Sequence, residues 1–83
     1  MRVEAYQVKK IKVSDARSQL QVTQQELAQR AGISKVVVSN AENGYFIRRL
    51  SAHAILNALN AIRQERGMSP LDFDAMDWKV QGE

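Results

Sequence analysis

The chain has 83 residues, no cysteine and a formal net charge of +3. This length supports one domain, and a core of this size without disulfides favours compact helix packing. The absence of cysteine, of an apolar leader after Met1 and of a membrane-spanning run leads us to expect a cytoplasmic protein with no membrane partner.

Basic residues are concentrated in the amino-terminal part of the chain. Residues 1–66 carry eleven Lys or Arg against five Asp or Glu, whereas residues 67–83 carry one Lys against four acids. This asymmetry predicts that the acidic tail points away from a polyanion. By itself the net charge favours nucleic acid only weakly, since an ordinary solvated surface also explains it.

The amino-terminal residues 1–11 alternate loosely and are rich in Val, Ile and Tyr, which fits a short strand or an arm. From about Lys12 the apolar residues follow a helical period, with Ser14 and Asp15 near its start. The pattern predicts a first helix that ends at about Gln21.

Residues 24–43 fit the twenty-residue template of a helix-turn-helix. Gly32 lies where the chain must leave a helix through a left-handed conformation. The template predicts a second helix at about 24–31 and a third at about 35–43. Its inward positions are all apolar, namely Leu27, Ala31, Ile33, Val38 and Ala41.

Capping residues flank both of these helices. Thr23 and Glu26 have the spacing of a capping box, and Ser34 is placed to cap the third helix. Asn43 and Gly44 then offer the left-handed residue that ends it.

Beyond the third helix we expect a loop at Tyr45–Arg49 and a fourth helix that is capped by Ser51 and ends before Gly67. Its predicted inner face comprises Ile55, Leu56, Leu59 and Ile62.

Ser69 and Pro70 suit the start of a short fifth helix, and Asp72 and Asp74 suit its positive end. The apolar residues at helical spacing there are Leu71, Ala75 and Trp78. Alternatively, residues 78–83 run extended and pair with the amino-terminal segment.

The run from Val13 through Leu59 resembles the lambda-repressor-like, Cro-type helix-turn-helix family, also called the xenobiotic-response-element (XRE) family. Its most specific marks are TQQELA, the turn glycine and ENG. We expect an all-α, compact five-helix lambda-repressor-like fold, in which the helix-turn-helix DNA-binding domain spans 12–66 and the fifth helix lies in the tail. We expect the amino-terminal strand or arm at 1–11 to precede it, and an acidic helix or tail at 67–83 to serve as a dimer or partner surface.

In the family the third helix lies in the major groove and the second crosses the DNA backbone. Carried over by position, the resemblance implies contacts to bases from Lys35, Val36, Ser39 and Asn40. It implies contacts to phosphates from Gln24, Ser34, Asn43, Arg48 and Arg49. Lysine can donate to guanine, asparagine can pair with adenine, and valine can cover a thymine methyl group.

Val36 and Val37 are adjacent β-branched residues; we assign Val36 to the groove and Val37 to partial core packing. Arg17 and Glu42 match a pair that forms an interior salt bridge in relatives, which implies a structural role.

The sequence departs from the family pattern at two positions and in its tail. Gln21 replaces a usual glycine and Ala41 a usual large apolar residue, so we expect the local packing to differ. The apolar residues of the tail form either a dimer surface or a lid on the core; they are Leu71, Phe73, Met76 and Trp78.

The composition argues against an enzyme, a metal site or a cofactor. With one histidine and no cysteine, no nucleophile and base pair stands out, and we expect His53 to be a polar residue early in the fourth helix. Tyr6, Tyr45 and Phe46 are too scattered for a platform that stacks single-stranded bases.

The sequence therefore predicts a transcriptional regulator, a repressor that binds a double-stranded DNA operator as a homodimer. The alternative is an antitoxin-like module that controls its own promoter and binds a toxin through its termini. A third option is a protein-interaction adaptor that reuses the fold.

Overall fold

The helices and strands were located in a computed structural model, which describes residues 9–82. This part of the chain forms four α-helices, four short strands and one 3-10 turn at Phe73–Ala75. In chain order the other elements are β1 (Ile11–Lys12), α1 (Val13–Gln19), α2 (Gln24–Ala31), α3 (Lys35–Glu42), β2 (Phe46–Arg48), α4 (Arg49–Glu65), β3 (Met76–Asp77) and β4 (Lys79–Gln81). The predicted bounds of the second helix are confirmed, and the third ends one residue earlier than predicted.

The predicted caps set the limits of α2 and α3. The Glu26 backbone N–H donates to Thr23 Oγ1 at 3.0 Å, and the Thr23 N–H donates to Glu26 Oε1 at 2.8 Å. These two bonds complete the capping box and satisfy backbone donors that the helix leaves free. Gly32 has a φ of 72° and Gly44 a φ of 83°, so both helices end in left-handed glycines, as predicted.

The core lies between α4 and the helix-turn-helix. Leu20, Leu27 and Val38 are fully buried, and they contribute to the same cluster as the inner face of α4. That face contains Ala52, Ile55, Leu56, Ala58, Leu59 and Ile62. Burial of the long helix thus fixes α2 and α3 at their relative angle.

The prediction of a fifth α-helix is wrong. Between Gly67 and Gly82 the chain is mostly extended, and only the turn at Phe73–Ala75 is helical. The Asn60 side chain explains the start of this run, because it accepts from the Leu71 N–H at 2.8 Å and donates to the Leu71 carbonyl at 2.9 Å. Tertiary hydrogen bonds therefore replace those of a helix too short to be stable by itself.

The extended tail pairs with two earlier segments. β3 runs parallel to β1 with Ile11 opposite Met76, and β4 runs parallel to β2 with Ile47 opposite Val80. The alternative of an extended carboxyl end is thus confirmed for Lys79–Gln81, although its partner is β2 rather than the amino-terminal segment. The strand or arm predicted at 1–11 lies outside the described residues up to position 8.

Three further boundary predictions are wrong, and the first two are explained by the pairing of β2 with β4. The expected loop at Tyr45–Arg49 contains β2, because β4 supplies the backbone partners that a strand needs. α4 then begins at Arg49 without a side-chain cap, two residues before the expected cap Ser51. At the other end of the domain, α1 ends at Gln19 rather than at the predicted Gln21. The chain turns at Gln21, whose φ is positive.

The tail packs on the core as a lid. Met76 is 1% exposed and belongs to the buried cluster, while Leu71, Phe73 and Trp78 are half-buried against it. The Phe73 ring also contacts the rings of His53 and Trp78 in tilted arrangements, with centroid distances of 4.6 and 5.0 Å. Within residues 9–82, no helix has the length and apolar character needed to cross a membrane.

Candidate DNA interface

Glu42, the last residue of α3, joins three parts of the helix-turn-helix. Arg17 donates to its carboxylate from Nε at 2.6 Å and from Nη2 at 3.1 Å. Gln24 donates from Nε2 to Oε1 at 2.8 Å, and Arg17 Nη1 also reaches the Val22 carbonyl at 3.0 Å. The carboxylate thereby links α1, the start of α2 and the end of α3.

The ion pair lies at the edge of the core. The Glu42 side chain is 7% exposed and that of Arg17 is 19% exposed. Their contact raises the pKa of the Arg17 guanidinium above its ordinary value, mainly through the hydrogen bond to Glu42 and against the opposing effect of burial. A charged, two-bond pair with an additional amide donor satisfies most of the carboxylate, which limits the cost of burying it.

Gln21 takes up the strain of the turn between α1 and α2. Its φ is 58°, and it is the one non-glycine residue with a positive φ in the described part of the chain. Glycine adopts this left-handed conformation at much lower cost than a residue with a Cβ. Because Gln21 stands where the family usually has a glycine, the backbone at this position is strained.

The outer face of α3 carries the four residues that the resemblance assigned to base contacts. Lys35 is exposed, Val36 is 65% exposed, and Ser39 and Asn40 are half-buried. The spacing of these four places them on one side of a helix. The opposite side holds α3 to the core through Val38 and Ala41, and Val37 is half-buried between the two, as predicted.

Three of the expected phosphate contacts lie around this face. Gln24 and Lys35 line one open cleft of about 470 Å³, whose other walls come mostly from α1 and the turn before α2. Ser34 caps α3 by accepting from the Val37 N–H at 3.4 Å, and Asn43 Nδ2 donates to Ser39 Oγ at 3.3 Å. An amide nitrogen carries two hydrogens, so Gln24 and Asn43 can each offer one to a phosphate.

Arg48 and Arg49 lie farther along the chain, at the end of β2 and the start of α4, and both are exposed. The Arg49 guanidinium sits 5.5 Å from the centre of the Phe73 ring. This contact, which sequence reasoning missed, gives Arg49 a role in holding the tail. In β2 the side chains of Phe46, Ile47 and Arg48 are exposed, buried and exposed in turn, but Phe46 and Ile47 are both apolar, so the sequence itself carries no alternation that would signal the strand.

Residues 13–62, more than half of the chain, match the family model described as Helix-turn-helix. The chain belongs to the XRE-type, lambda-repressor-like helix-turn-helix family. A helix-turn-helix of this family is a DNA-binding regulatory domain. No match was found among curated proteins or among solved structures.

The family match and the folded unit have different limits. The helix-turn-helix match ends at Ile62, within α4, whereas the core also requires Met76 from the tail. The two short parallel pairings attach this extension to β1, just before the matched residues, and to β2, within them. The segment that follows α3 is therefore held by residues that the family model does not include.

Proposed function

We propose that the chain is a sequence-specific, duplex-DNA-binding transcriptional regulator, and that it represses by covering a promoter. The exposed face of α3 supports this most directly. The major groove admits an α-helix, and α3 is anchored on one side by Val38 and Ala41 while Val36 projects from the other. We call α3 the recognition helix.

Base recognition in this proposal combines three polar contacts with one apolar contact. Lys35 donates to guanine O6 and N7, Asn40 pairs with adenine, and Val36 covers a thymine methyl group. Ser39 contacts the adjoining base edge. With few bidentate groups, discrimination also depends on the shape of the duplex.

Phosphate contacts fix the register of the recognition helix. Gln24 and Ser34 hold the backbone at the amino-terminal ends of α2 and α3, and Asn43 holds it at the end of α3. Arg48 and Arg49 extend this basic surface beyond the groove. The Glu42 carboxylate supports the arrangement, since its bond to the Gln24 amide orients that side chain.

A homodimer is the simplest way for so small a reading surface to bind tightly. One copy presents one recognition helix, whereas two copies read half-sites about one helical turn apart. The operator in this proposal is therefore a two-fold repeat.

An antitoxin-like module is the second candidate function. The acidic residues of the tail favour it, because Asp72, Asp74 and Asp77 are all exposed and available to a basic partner. The apolar side of the tail is occupied by the core, which leaves these carboxylates as the surface for a toxin. A neighbouring toxin gene would favour this candidate.

The proposal is tested with duplexes enriched from a random-sequence pool, measured by fluorescence anisotropy. Val36→Asp places a negative charge on the exposed face of α3 that carries Lys35, Val36, Ser39 and Asn40, and we expect it to lower DNA affinity at least about 100-fold. Ala61→Asp makes the same charge change on the exposed side of α4 and should leave affinity within about threefold.

Two results would count against DNA recognition by α3. Equal DNA affinities for the two variants would mean that the recognition helix does not contact DNA. Failure of the wild-type chain to retain any duplex at low salt would favour the protein-interaction adaptor instead.

A further inference from the structure

The carboxyl-terminal tail, residues 67–83, carries one basic residue, Lys79, among four acids. Lys79 is the first residue of β4, and its side chain is exposed. In the parallel pairing of β4 with β2, Lys79 lies opposite Phe46, and Gln81 lies opposite Arg48. Side chains alternate between the two faces of a strand, and Phe46 and Arg48 both occupy the exposed face of β2. Lys79 therefore lies on the solvent face of this small sheet, beside Arg48.

Lys79 also borders the end of the recognition helix. Together with Asn43 and Gly44 it lines a cleft of about 250 Å³. The Asn43 amide gives one hydrogen to Ser39 Oγ and keeps the second for another acceptor. An anion that accepts this second hydrogen therefore has Lys79 as a neighbour.

Phe46 holds the Lys79 side chain in place. Lys79 Nζ lies 5.8 Å from the centre of the Phe46 ring, within the range of a cation–π contact. Ordering a free lysine side chain costs rotamer entropy, and this contact lowers that cost in advance of binding. The ring is itself 62% exposed, so the ammonium group that contacts it remains open to solvent.

Two carboxylates border the same cleft, and each has a cation beside it. Glu42 is bound by Arg17. Asp77 lies opposite Lys12 in the pairing of β3 with β1, and both of these side chains line the cleft. The ammonium group of Lys79 is thus the excess charge of the cleft. A positive excess next to an amide donor suits the binding of a phosphate.

We propose that Lys79 and Asn43 hold one phosphate of the DNA backbone between them, so that β4 is part of the DNA interface. This assignment rests on the proposed function. It extends the expected phosphate contacts at Asn43 and Arg48 onto a strand that lies beyond the matched residues 13–62. An acidic protein also complements one ammonium group, but the position of Lys79 between Asn43 and Arg48 favours the duplex.

The acidity of the tail led to the expectation that it points away from a polyanion. The pairing of β4 with β2 changes this expectation for one residue, because it places the single lysine of the tail next to Arg48. The tail therefore has two roles, as a lid on the core through Met76 and as a phosphate contact through Lys79.

The test measures the affinity of Lys79→Gln for the duplex enriched by the wild-type chain, by fluorescence anisotropy from about 50 to about 200 mM salt. Loss of one phosphate contact should lower the slope of log affinity against log salt by about 0.9. The affinity advantage of the wild type should consequently shrink about 3.5-fold across this range. Lys79→Arg keeps the charge and should keep the wild-type slope.

Lys10→Gln is the matched control. It makes the same substitution at an exposed lysine that lines a different cleft, with Arg63 and Leu71, and it should leave the slope unchanged. Thermal melts establish that the fold is retained in each variant. If Lys79→Gln melts early, Lys79→Met keeps the alkyl stem against Phe46 and should show the same fall in slope with the Tm of the wild type.

A double variant tests whether Lys79 and Asn43 share one phosphate. Asn43→Ala removes a neutral donor, so it should lower affinity without changing the slope. Two groups that hold the same phosphate depend on each other. The loss of affinity in Asn43→Ala/Lys79→Gln should therefore be smaller than the product of the two single losses.

The outcomes separate this assignment from the function beneath it. A wild-type slope in Lys79→Gln would overturn the assignment, leave DNA recognition by α3 intact and open the cleft to a partner of another class. An equal fall in slope for Lys10→Gln would also overturn it, because total charge would then explain the effect. Independent losses in the double variant would overturn the shared phosphate. Failure of the wild-type chain to bind any duplex would overturn both the assignment and the proposed function.

Discussion

Arg17 and Glu42 form a two-bond ion pair that ties the first helix to the last residue of the recognition helix, with N–O distances of 2.6 and 3.1 Å. The same carboxylate accepts from Gln24 at the start of α2. The Glu42 side chain lies outside the face of α3 that carries Lys35, Val36, Ser39 and Asn40, and it adds to the core packing that orients α3.

Glu42→Ala should destabilise the domain strongly. The change leaves the half-buried Arg17 charge without its partner, at a cost of about 3 kcal/mol. We expect Tm to fall by more than roughly 10 °C, and DNA binding to be lost with the fold. The measurement is a thermal melt followed by circular dichroism.

Glu65→Ala is the matched control, because it breaks the exposed Arg30–Glu65 pair. An exposed pair contributes about 0–1 kcal/mol, so this variant should melt close to the wild type. If the Glu42→Ala variant had the same Tm as the Glu65→Ala variant, the structural role of Glu42 would be rejected.

Gln21→Gly should stabilise the domain. The left-handed conformation at Gln21 is strained for any residue with a Cβ. Removing this strain should outweigh the greater entropy of an unfolded glycine and raise the free energy of unfolding by about 0.5–1 kcal/mol. Gln29→Gly, the same substitution at an exposed position inside α2, should instead destabilise by about 1 kcal/mol. Urea unfolding measures both, and effects of the same sign would contradict the assignment of strain to Gln21.

Met76→Ala should show that the tail is part of the folded unit. Met76 is buried among core residues contributed by the helices, so the truncation should cost about 2–5 kcal/mol. Asp74→Ala, at an exposed position of the same tail, should change the free energy of unfolding by less than about 0.5 kcal/mol. A stability unaffected by Met76→Ala would contradict a role for the Met76 side chain in holding the tail to the core.

Arg48→Ala/Arg49→Ala should reduce the salt dependence of DNA binding. Each phosphate contact contributes about one unit to the slope of log affinity against log salt, so the double variant should lose about two. Arg30→Ala removes a charge at the far end of α2 and should leave the slope unchanged. If the slope of the double variant equalled that of the wild type, neither arginine would contact a phosphate.

The sequence was most informative where local chemistry decides the structure. The caps at Thr23 and Ser34 and the left-handed Gly32 follow from side-chain hydrogen bonding and backbone sterics within a few residues. The Arg17–Glu42 pair lies 25 positions apart and was obtained only through the resemblance, because nothing local specifies it.

The tail shows why the rest was not predictable. Leu71, Ala75 and Trp78 have helical spacing, but the Leu71 backbone bonds to Asn60 and the following residues pair with β1 and β2. Such pairing depends on the folded positions of segments far away in sequence, which a spacing pattern does not contain. The strand β2 escaped prediction for the same reason.

The proposed function depends on base recognition by the recognition helix, and site selection with position-specific variants tests this most directly. Random duplex DNA is enriched separately on the wild-type chain, on Asn40→Ala and on the control Gln29→Ala. We predict a repeated half-site for the wild type and the control, and loss of preference at one base pair of each half-site for Asn40→Ala, since a bidentate contact gives about 1–3 kcal/mol of discrimination. Enrichment of the same site by Asn40→Ala, with every base preference retained, would contradict base recognition by α3.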